Sequence, residues 1–459
     1  MDARRKFQCP AHLALQPASI LAAFVFLFST SILPVTAQQQ STNAAKSQRS
    51  DAARRDDSIA MLREAAALLQ AGKLDEAEAL IRRVMAIAQN SADAHNLLGV
   101  ILDRRGRTEA AEREYRAALR LNSRSVSARA NLGVLLARTG RSSEATEIFE
   151  AVLREVPGHP QATFNLGLQL AARGDYARAA QLFESLRPKT YEVFYNLGTA
   201  LYQLKRFDDA GEALRSALAL APNDWRTLYY LGLTASARGQ SLAAIAFWQR
   251  ALKARADFAE ANFMLGEELS RSGRYKEAAE FYERALKQDA AKPVYHIRLG
   301  GAYLLLILYE QAFEVFSRAA ERFPQLAEAH YFKGVAARGR GSYDVAEAAF
   351  RKALELQPDN ADALAQLGFI VGERGLYSEA EQLLRRAIAL GHNHFYAHYD
   401  LGRLLVKTRR YDEAIPILQR GVALRGDNPD VHYQLFMAFS RVKRKAEADS
   451  EMALFRRLD

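Results

Sequence analysis

The chain has 459 residues, one cysteine, and a formal charge of +10 from 63 Lys and Arg against 53 Asp and Glu. A single cysteine excludes a disulfide framework and a thiolate metal set. The first 57 residues hold seven Lys/Arg and four Asp/Glu, or +3, which leaves +7 for the rest; those charges mostly alternate in sign along helices, too dilute for a nucleic-acid-binding stripe.

Residues 1–37 read as an export signal. Arg4, Arg5 and Lys6 give a positive start, Ala18 to Leu33 form an apolar stretch, and Val35-Thr36-Ala37 offers small residues for cleavage after Ala37. An uncleaved anchor is the competing reading, since the stretch lies near the lower limit of about 17 residues for spanning a bilayer. Arg4-Arg5-Lys6-Phe7 loosely resembles a twin-arginine signal. Nothing in the sequence calls for a cofactor and so for folded export, which favours the general secretory route. Cys9 precedes the apolar stretch, so it is not placed as a lipoprotein cysteine would be. Residues 38–57 contain no large apolar residue and read as a flexible polar tether.

From residue 58 to 459 the chain is periodic. Alanine recurs at Ala77, Ala111, Ala145, Ala179, Ala210, Ala244, Ala278, Ala312, Ala346, Ala380, Ala414 and Ala448, always 34 residues apart except for one gap of 31. A Leu-Gly pair stands twelve and thirteen positions earlier, as in Leu98-Gly99, Leu132-Gly133 and Leu265-Gly266. A second glycine often follows seven residues on, as at Gly106, Gly140 and Gly273. Four residues after the alanine comes a large apolar side chain, such as Tyr115, Phe149 or Phe350, and several periods close with proline, as at Pro157, Pro222, Pro324 and Pro358. Within a period, apolar and small residues at i, i+3, i+4 and i+7 define one helix face, then a second after a polar turn. Each period is therefore expected to be two antiparallel helices of about 12–14 residues. Glycine and alanine let the two backbones approach, and the aromatic is expected to fill the gap to the next pair.

This pattern resembles the tetratricopeptide repeat family, whose signature is Trp-x2-Leu-Gly-x2-Tyr, then Ala-x3-Phe, then Pro. The resemblance implies an all-α, right-handed α-solenoid, or superhelix, of about twelve helix-turn-helix repeats. They would span 58–91, 92–125, 126–159, 160–190, 191–224, 225–258, 259–292, 293–326, 327–360, 361–394, 395–428 and 429–459. The tryptophan position departs from the family, holding residues such as His95, Arg129 and Leu364.

No catalytic or cofactor site is expected. Carboxylates recur with the repeat, and the chain holds no Gly-rich phosphate loop after a strand, no G-x-S-x-G and no His-Glu-x-x-His. Five of nine histidines (His95, His296, His330, His398, His432) share one repeat position, which suits packing better than ligation. His392, His394 and His398 form an H-x-H-x3-H cluster at a repeat junction, but no cysteine or placed carboxylate completes a metal set.

A partner site is expected instead. In the resembled family, the first helices line a concave groove that grips a peptide or a partner's helix. One position facing or bordering it holds Phe164, Tyr195, Tyr229, Phe263, Tyr331, Tyr399 and Tyr433. The next holds Asn131, Asn165 and Asn196, then Gln366, Asp400 and Gln434. The Asn run is similar to the asparagine ladder in the repeat arrays of O-linked N-acetylglucosamine transferases, which implies amides that hold peptide backbone. Inheritance of the fold's consensus is the plainer alternative. Arg104, Arg138, Arg271, Arg338, Lys407 and Arg441 lie about two turns further along these helices, placed to engage acidic partners or simply solvated.

Two repeats depart from the pattern. The eighth should turn on polar residues, yet reads Leu304, Leu305, Leu306, Ile307, Leu308, with Ile307 where glycine often stands. That run suggests a docking or self-association patch, or local burial by neighbouring repeats. The fourth ends in Arg187-Pro188-Lys189-Thr190, and its connection is expected to be shorter by three residues. Together these features point to an exported, non-enzymatic scaffold of the bacterial cell envelope, periplasmic or extracellular, that binds proteins or peptides in its groove. Alternatives are an accessory subunit of polysaccharide export or outer-membrane assembly machinery, and an adaptor for a separately encoded glycosyltransferase. No nucleic acid is expected as a partner, a membrane only if the signal is uncleaved, and the oligomeric state stays open.

Overall fold

The computed structural model describes residues 42–459, with side chains from residue 56 onward. The expected signal, residues 1–37, lies outside the described residues. Those described form 24 α-helices and no strand, and from Thr42–Gln70 to Trp225–Ala237, and again from Ala259–Arg271 to Lys445–Leu458, consecutive helices pack against one another. They fall into two compact units, one ending at residue 244 and the other starting at residue 245. The first unit runs from the helix Thr42–Gln70 through Trp225–Ala237. The second runs from Ala259–Arg271 through Lys445–Leu458. Among the described residues, no helix is long and apolar enough to cross a membrane.

Apart from Thr42–Gln70, each first helix has 13 residues, and each second helix has 14 with one exception. Most first helices start on side-chain caps: Ser91, Ser125, Thr190, Asp224, Asn360 and Asn428 each accept the amide of a residue three positions on, whereas those beginning at Ala259, Pro293 and Ala327 have none. They end in a left-handed residue. At Gly106 the chain reverses with Gly106 N–H donating to Asp103 O and Arg107 N–H donating to Leu102 O, both at 2.9 Å. This six-to-one closure needs a positive φ at its centre. Eight repeats meet that need with glycine. The others force it on Lys205, Ile307, Arg409 and Lys443, at φ between 60° and 64°. The same turn forms either way, so it is imposed by packing rather than by glycine.

The periodic alanines are the helix contact. Eleven of the twelve are fully buried, and Ala448 is 4% exposed. The paired glycine explains the aromatic. A Cβ on Gly133 would lie 2.7 Å from the Phe149 ring, and one on Gly266 would lie 2.5 Å from Tyr282. The ring therefore lies across the glycine of its own repeat, a contact the spacing alone did not indicate. It does reach onward as well: Phe316 stacks on Phe332 of the following repeat at 5.3 Å.

Two further expectations change. Residues 42–57 belong to the helix Thr42–Gln70 rather than to an extended tether. Their alanines, lysines, arginines and glutamine are good helix formers, and the following apolar turns extend the helix backwards. In the fourth repeat the loss falls on the second helix, Tyr176–Ser185, which has 10 residues, and not on the connection. Arg187 precedes Pro188, which disfavours a helical conformation there. Leu186 turns out extended and is buried.

Candidate functional site

The face built from the first helices carries most of the expected site, and it is not uniform. In repeats two to four its amides are bonded to one another. Asn131 Nδ2 donates to Asn96 Oδ1 at 3.0 Å, and Gln161 Nε2 donates to Asn131 Oδ1 at 3.2 Å. Asn165 Nδ2 donates to the Gln161 carbonyl at 2.8 Å. Asn196 Nδ2 donates to the Glu192 carbonyl, also at 2.8 Å. Asn131 and Asn165 are buried, and Asn196 is half-buried. The amides at 96, 131 and 161 form a seam that stitches three repeats together. Asn131 has both ends of its amide engaged, so gripping a peptide backbone would mean breaking that seam.

The aromatics of the neighbouring position mostly pack within the array. Phe164 lies 5.8 Å from Phe183, Phe263 5.7 Å from Tyr282, and Tyr331 5.8 Å from Phe350. Tyr229 is fully buried against Tyr230, and Tyr399 stacks on Phe395 at 5.9 Å. Tyr195 stacks on Tyr191 and meets Tyr230 edge-on, both at 5.9 Å, with the Arg226 guanidinium 5.7 Å from its ring centre. Burial pushes the Tyr191 and Tyr230 phenols up to about 12. Of the seven, Tyr433 alone is classed as exposed, although it also touches Phe455 at 5.3 Å.

Repeats nine to eleven are built differently. A cavity of about 170 Å³ opens between the first helices of repeats ten and eleven. Gly368, Phe369 and Gly372 line one side of it, and Glu373, Asp400, Arg403 and Lys407 supply its charge. Arg403 Nη2 lies 3.1 Å from Glu373 Oε1 and 3.7 Å from Asp400 Oδ1. The Arg403 and Arg338 guanidiniums lie 5.0 and 5.3 Å from the centre of the Phe369 ring, within cation–π range. Asp400 is nearly covered, with 11% of its side chain exposed. Among the described residues no hydrogen-bond donor reaches it. Burial raises its carboxyl to about 6, against the pull of Arg403 and Arg338. This one wall thus offers an acceptor in need of a donor, a guanidinium fork and an aromatic platform.

The fold and its site can now be set against known proteins. Two tetratricopeptide repeat models match the chain, one over residues 62–126, 96–160, 131–191, 229–293 and 299–361, the other over 170–233, 337–394 and 372–438. The chain belongs to the tetratricopeptide repeat family. No curated protein matches it. Solved structures similar to it include the C-terminal part of a TPR repeat-containing protein from Cytophaga hutchinsonii, at 17% identity over 52% of this chain and 99% of that one, with a TM-score of 0.46. Another is the APC/C hetero-tetramer Cut9–Hcn1, at 13% identity over 82% and 95%, with a TM-score of 0.42. A third is MamA from Desulfovibrio magneticus RS-1, at 26% identity over 36% and 96%, with a TM-score of 0.35.

Within the tetratricopeptide frame the remaining candidates find plain roles. His95 Nδ1 lies 2.6 Å from Glu114, and His432 Nδ1 lies 2.5 Å from Glu451. His296 and His330 bond the carbonyls of Ala290 and Pro324. The H-x-H-x3-H cluster is dispersed among local tasks. His392 meets the Ile388 carbonyl, His394 caps its helix and meets Asp362 at 3.0 Å, and His398 meets the His394 carbonyl. Arg104 bonds the Leu69 carbonyl, Arg138 pairs with Asp103, and Arg271 pairs with Glu268 at 2.6 Å. Asp400, Arg338 and Lys407 were legible as candidates from their register. Phe369 and Arg403 were not: they occupy the position just after the glycine of the Leu-Gly pair, which elsewhere holds Val100, Val134 or Leu233 and so reads as core.

The apolar run of repeat eight divides. Leu304 is buried, Leu305 and Leu306 are half-buried, and Ile307 and Leu308 are exposed.

Proposed function

We propose that the chain is a non-catalytic scaffold of the cell envelope that holds a partner polypeptide along its first-helix face. Its anchor point is the cavity between repeats ten and eleven. The observation that carries this reading is the nearly covered Asp400 carboxylate, which accepts no hydrogen bond from the described residues and stands beside the Arg403 fork. Its ion pair with Arg403 is long, at 3.7 Å, so a closer, charge-assisted donor is favoured there. A peptide can give Asp400 an N–H and Arg403 a carbonyl or carboxylate oxygen, and lay an apolar group on Phe369. The export signature of residues 1–37 supports the envelope as the compartment. Internal bonding of the Asn run withdraws the main support for a glycosyltransferase adaptor.

Affinity capture from an envelope fraction tests the reading. Phe369→Ala with Arg403→Ala is expected to lose the partners that the unaltered chain retains. Unchanged retention of every partner sinks the cavity as the anchor, and capture confined to cytosolic proteins sinks the envelope assignment.

A further inference from the structure

In eight of the twelve repeats the turn between the two helices carries a charge just after the left-handed residue, and in repeat six it carries Gln240. The residue there is Lys73, Arg107, Arg141, Asp175 and Arg206 in repeats one to five, Arg274 in repeat seven, and Arg410 and Arg444 in the last two. In five of these repeats the arginine pairs with an acid three residues on: Arg141 with Glu144 at 2.6 Å, Arg206 with Asp209 at 2.7 Å, Arg274 with Glu277 at 2.5 Å, Arg410 with Glu413 at 2.7 Å, and Arg444 with Glu447 at 2.8 Å. Repeats eight, nine and ten hold Leu308, Ser342 and Leu376 at this point instead.

The replacement is part of a larger change. Ile307 is 62% exposed, Tyr343 46% and Leu376 48%, and Leu308, Val345 and Tyr377 are exposed beside them. Ile307 also holds φ 62°, which a β-branched residue adopts at a cost that glycine avoids. An exposed apolar side chain kept in a strained turn does nothing for the folded monomer. The three turns are neighbours, because each is tied to the one before. Arg340 bonds Glu310 at 2.7 Å, and Arg374 pairs with Asp344 and with Glu347, the latter at 2.7 Å. The exposed groups therefore form one stripe across three repeats.

We infer that this stripe joins two copies of the chain. The six side chains present on the order of 500 Å² of apolar surface, the size at which a patch marks an interaction site. A stable dimer needs about 800 Å² per partner, a little over half of it apolar, so the stripe and its immediate polar border fit one such interface. Charge selects the occupant. The chain as a whole carries +10 and repels a copy of itself, yet here Arg340 and Arg374 are neutralised by Glu310, Asp344 and Glu347. The stripe has no field to steer an acidic partner and no excess charge to reject an identical surface. In a two-fold pairing, repeat nine meets itself and repeat eight meets repeat ten, which places apolar side chains opposite apolar side chains. This surface is separate from the cavity of repeats ten and eleven, and the inference does not depend on it.

Sedimentation equilibrium of the purified chain over a concentration series tests the inference. A monomer–dimer equilibrium is expected. Leu308→Arg with Leu376→Arg installs the residue that other repeats carry at this point, so the variant keeps its helical melting curve. Its dissociation constant should rise roughly tenfold or more. A single monomeric species at every concentration overturns the inference, as does a folded variant that dimerises as tightly as the parent. A second measurement locates the contact. In a Cys9→Ser background, Tyr343→Cys is expected to form a disulfide between copies under mild oxidation, while Leu242→Cys, 83% exposed at the start of the second helix of repeat six, is not. Equal crosslinking at both positions also overturns it.

Discussion

Repeats two to four and repeats nine to eleven share one fold and one register, yet they use the first-helix face in opposite ways. In the former, Asn96, Asn131 and Gln161 bond one another in a chain of amides across three repeats. In the latter, a cavity opens between the first helices, and Asp400 stands in it with only the Arg403 guanidinium, 3.7 Å away, as an ion-pair partner. A polar residue in a groove is thus no sign of binding until its partners are counted. Amides bonded to one another bind the array to itself, while a carboxylate held only by a long ion pair has capacity to spare.

The sharpest way to break this contrast is to open the closed side. Asn131→Ala leaves Asn96 Oδ1 and Gln161 Nε2 buried without the amide that bonded them both. Each orphaned group costs about 1–3 kcal/mol, so a loss of about 2–6 kcal/mol is expected. Urea unfolding measures it, and amide exchange should show the loss centred on repeats two to four, because stability in a repeat array is largely local. Partner capture through repeats ten and eleven should be unaffected. A loss under about 0.5 kcal/mol, the scale of an ordinary surface substitution, means that the seam is not holding these repeats.

The same substitution type on the open side should have the opposite sign. Burial raises the Asp400 carboxyl to about 6, well above the ordinary aspartate range. A group whose folded value is raised favours folding when protonated. Its contribution is fully present below about pH 4 and is lost as the pH rises through 6. Asp400→Asn keeps the shape and removes the charge. It is expected to stabilise by about 1–3 kcal/mol at pH 7–8 and to change little at pH 4. It should also weaken capture of any partner that donates to the carboxylate. Equal effects at both pH values mean that the carboxylate is not held in the protonated direction by its site.

Much of this was legible in the sequence, and the reason is periodicity. The alanine register, the Leu-Gly pair and the aromatic four residues on are packing residues, and packing repeats wherever the fold repeats. Ala145, Gly133 and Phe149 could be assigned to one contact because the alanine recurs in all twelve periods and the glycine in ten of them. A site is by nature not periodic. Asn131 looked like a ligand because its consensus position borders a groove. What decided its role was Asn96 and Gln161, which stand at other offsets in their own repeats and meet it only in three dimensions. Phe369 and Arg403 were hidden for the converse reason, since they hold a position that is aliphatic in several other repeats. Register identified Asp400, but only burial and the missing donor gave it meaning.

The smallest effect concerns the outer edge, where the two regions differ again. Gly140 and Gly106 hold the turn without strain in repeats three and two, while Ile307 holds the same turn at φ 62°. The left-handed conformation costs an L-residue about 1–2 kcal/mol, and glycine's greater freedom in the unfolded chain returns about 0.5–1 kcal/mol of that. Ile307→Gly should therefore raise the stability of the monomer by only about 0.5–1 kcal/mol, read as a small increase in the urea midpoint. The same change removes the most exposed side chain of the stripe, so dimerisation should weaken while the fold strengthens. Those two movements in opposite directions separate a surface kept for contact from a turn that merely tolerates a poor residue. If Ile307→Gly leaves both unchanged, neighbouring groups already relieve the strain and the side chain contributes nothing to association. If it stabilises the fold and leaves association intact, the contact rests on Tyr343 and Leu376 rather than on repeat eight.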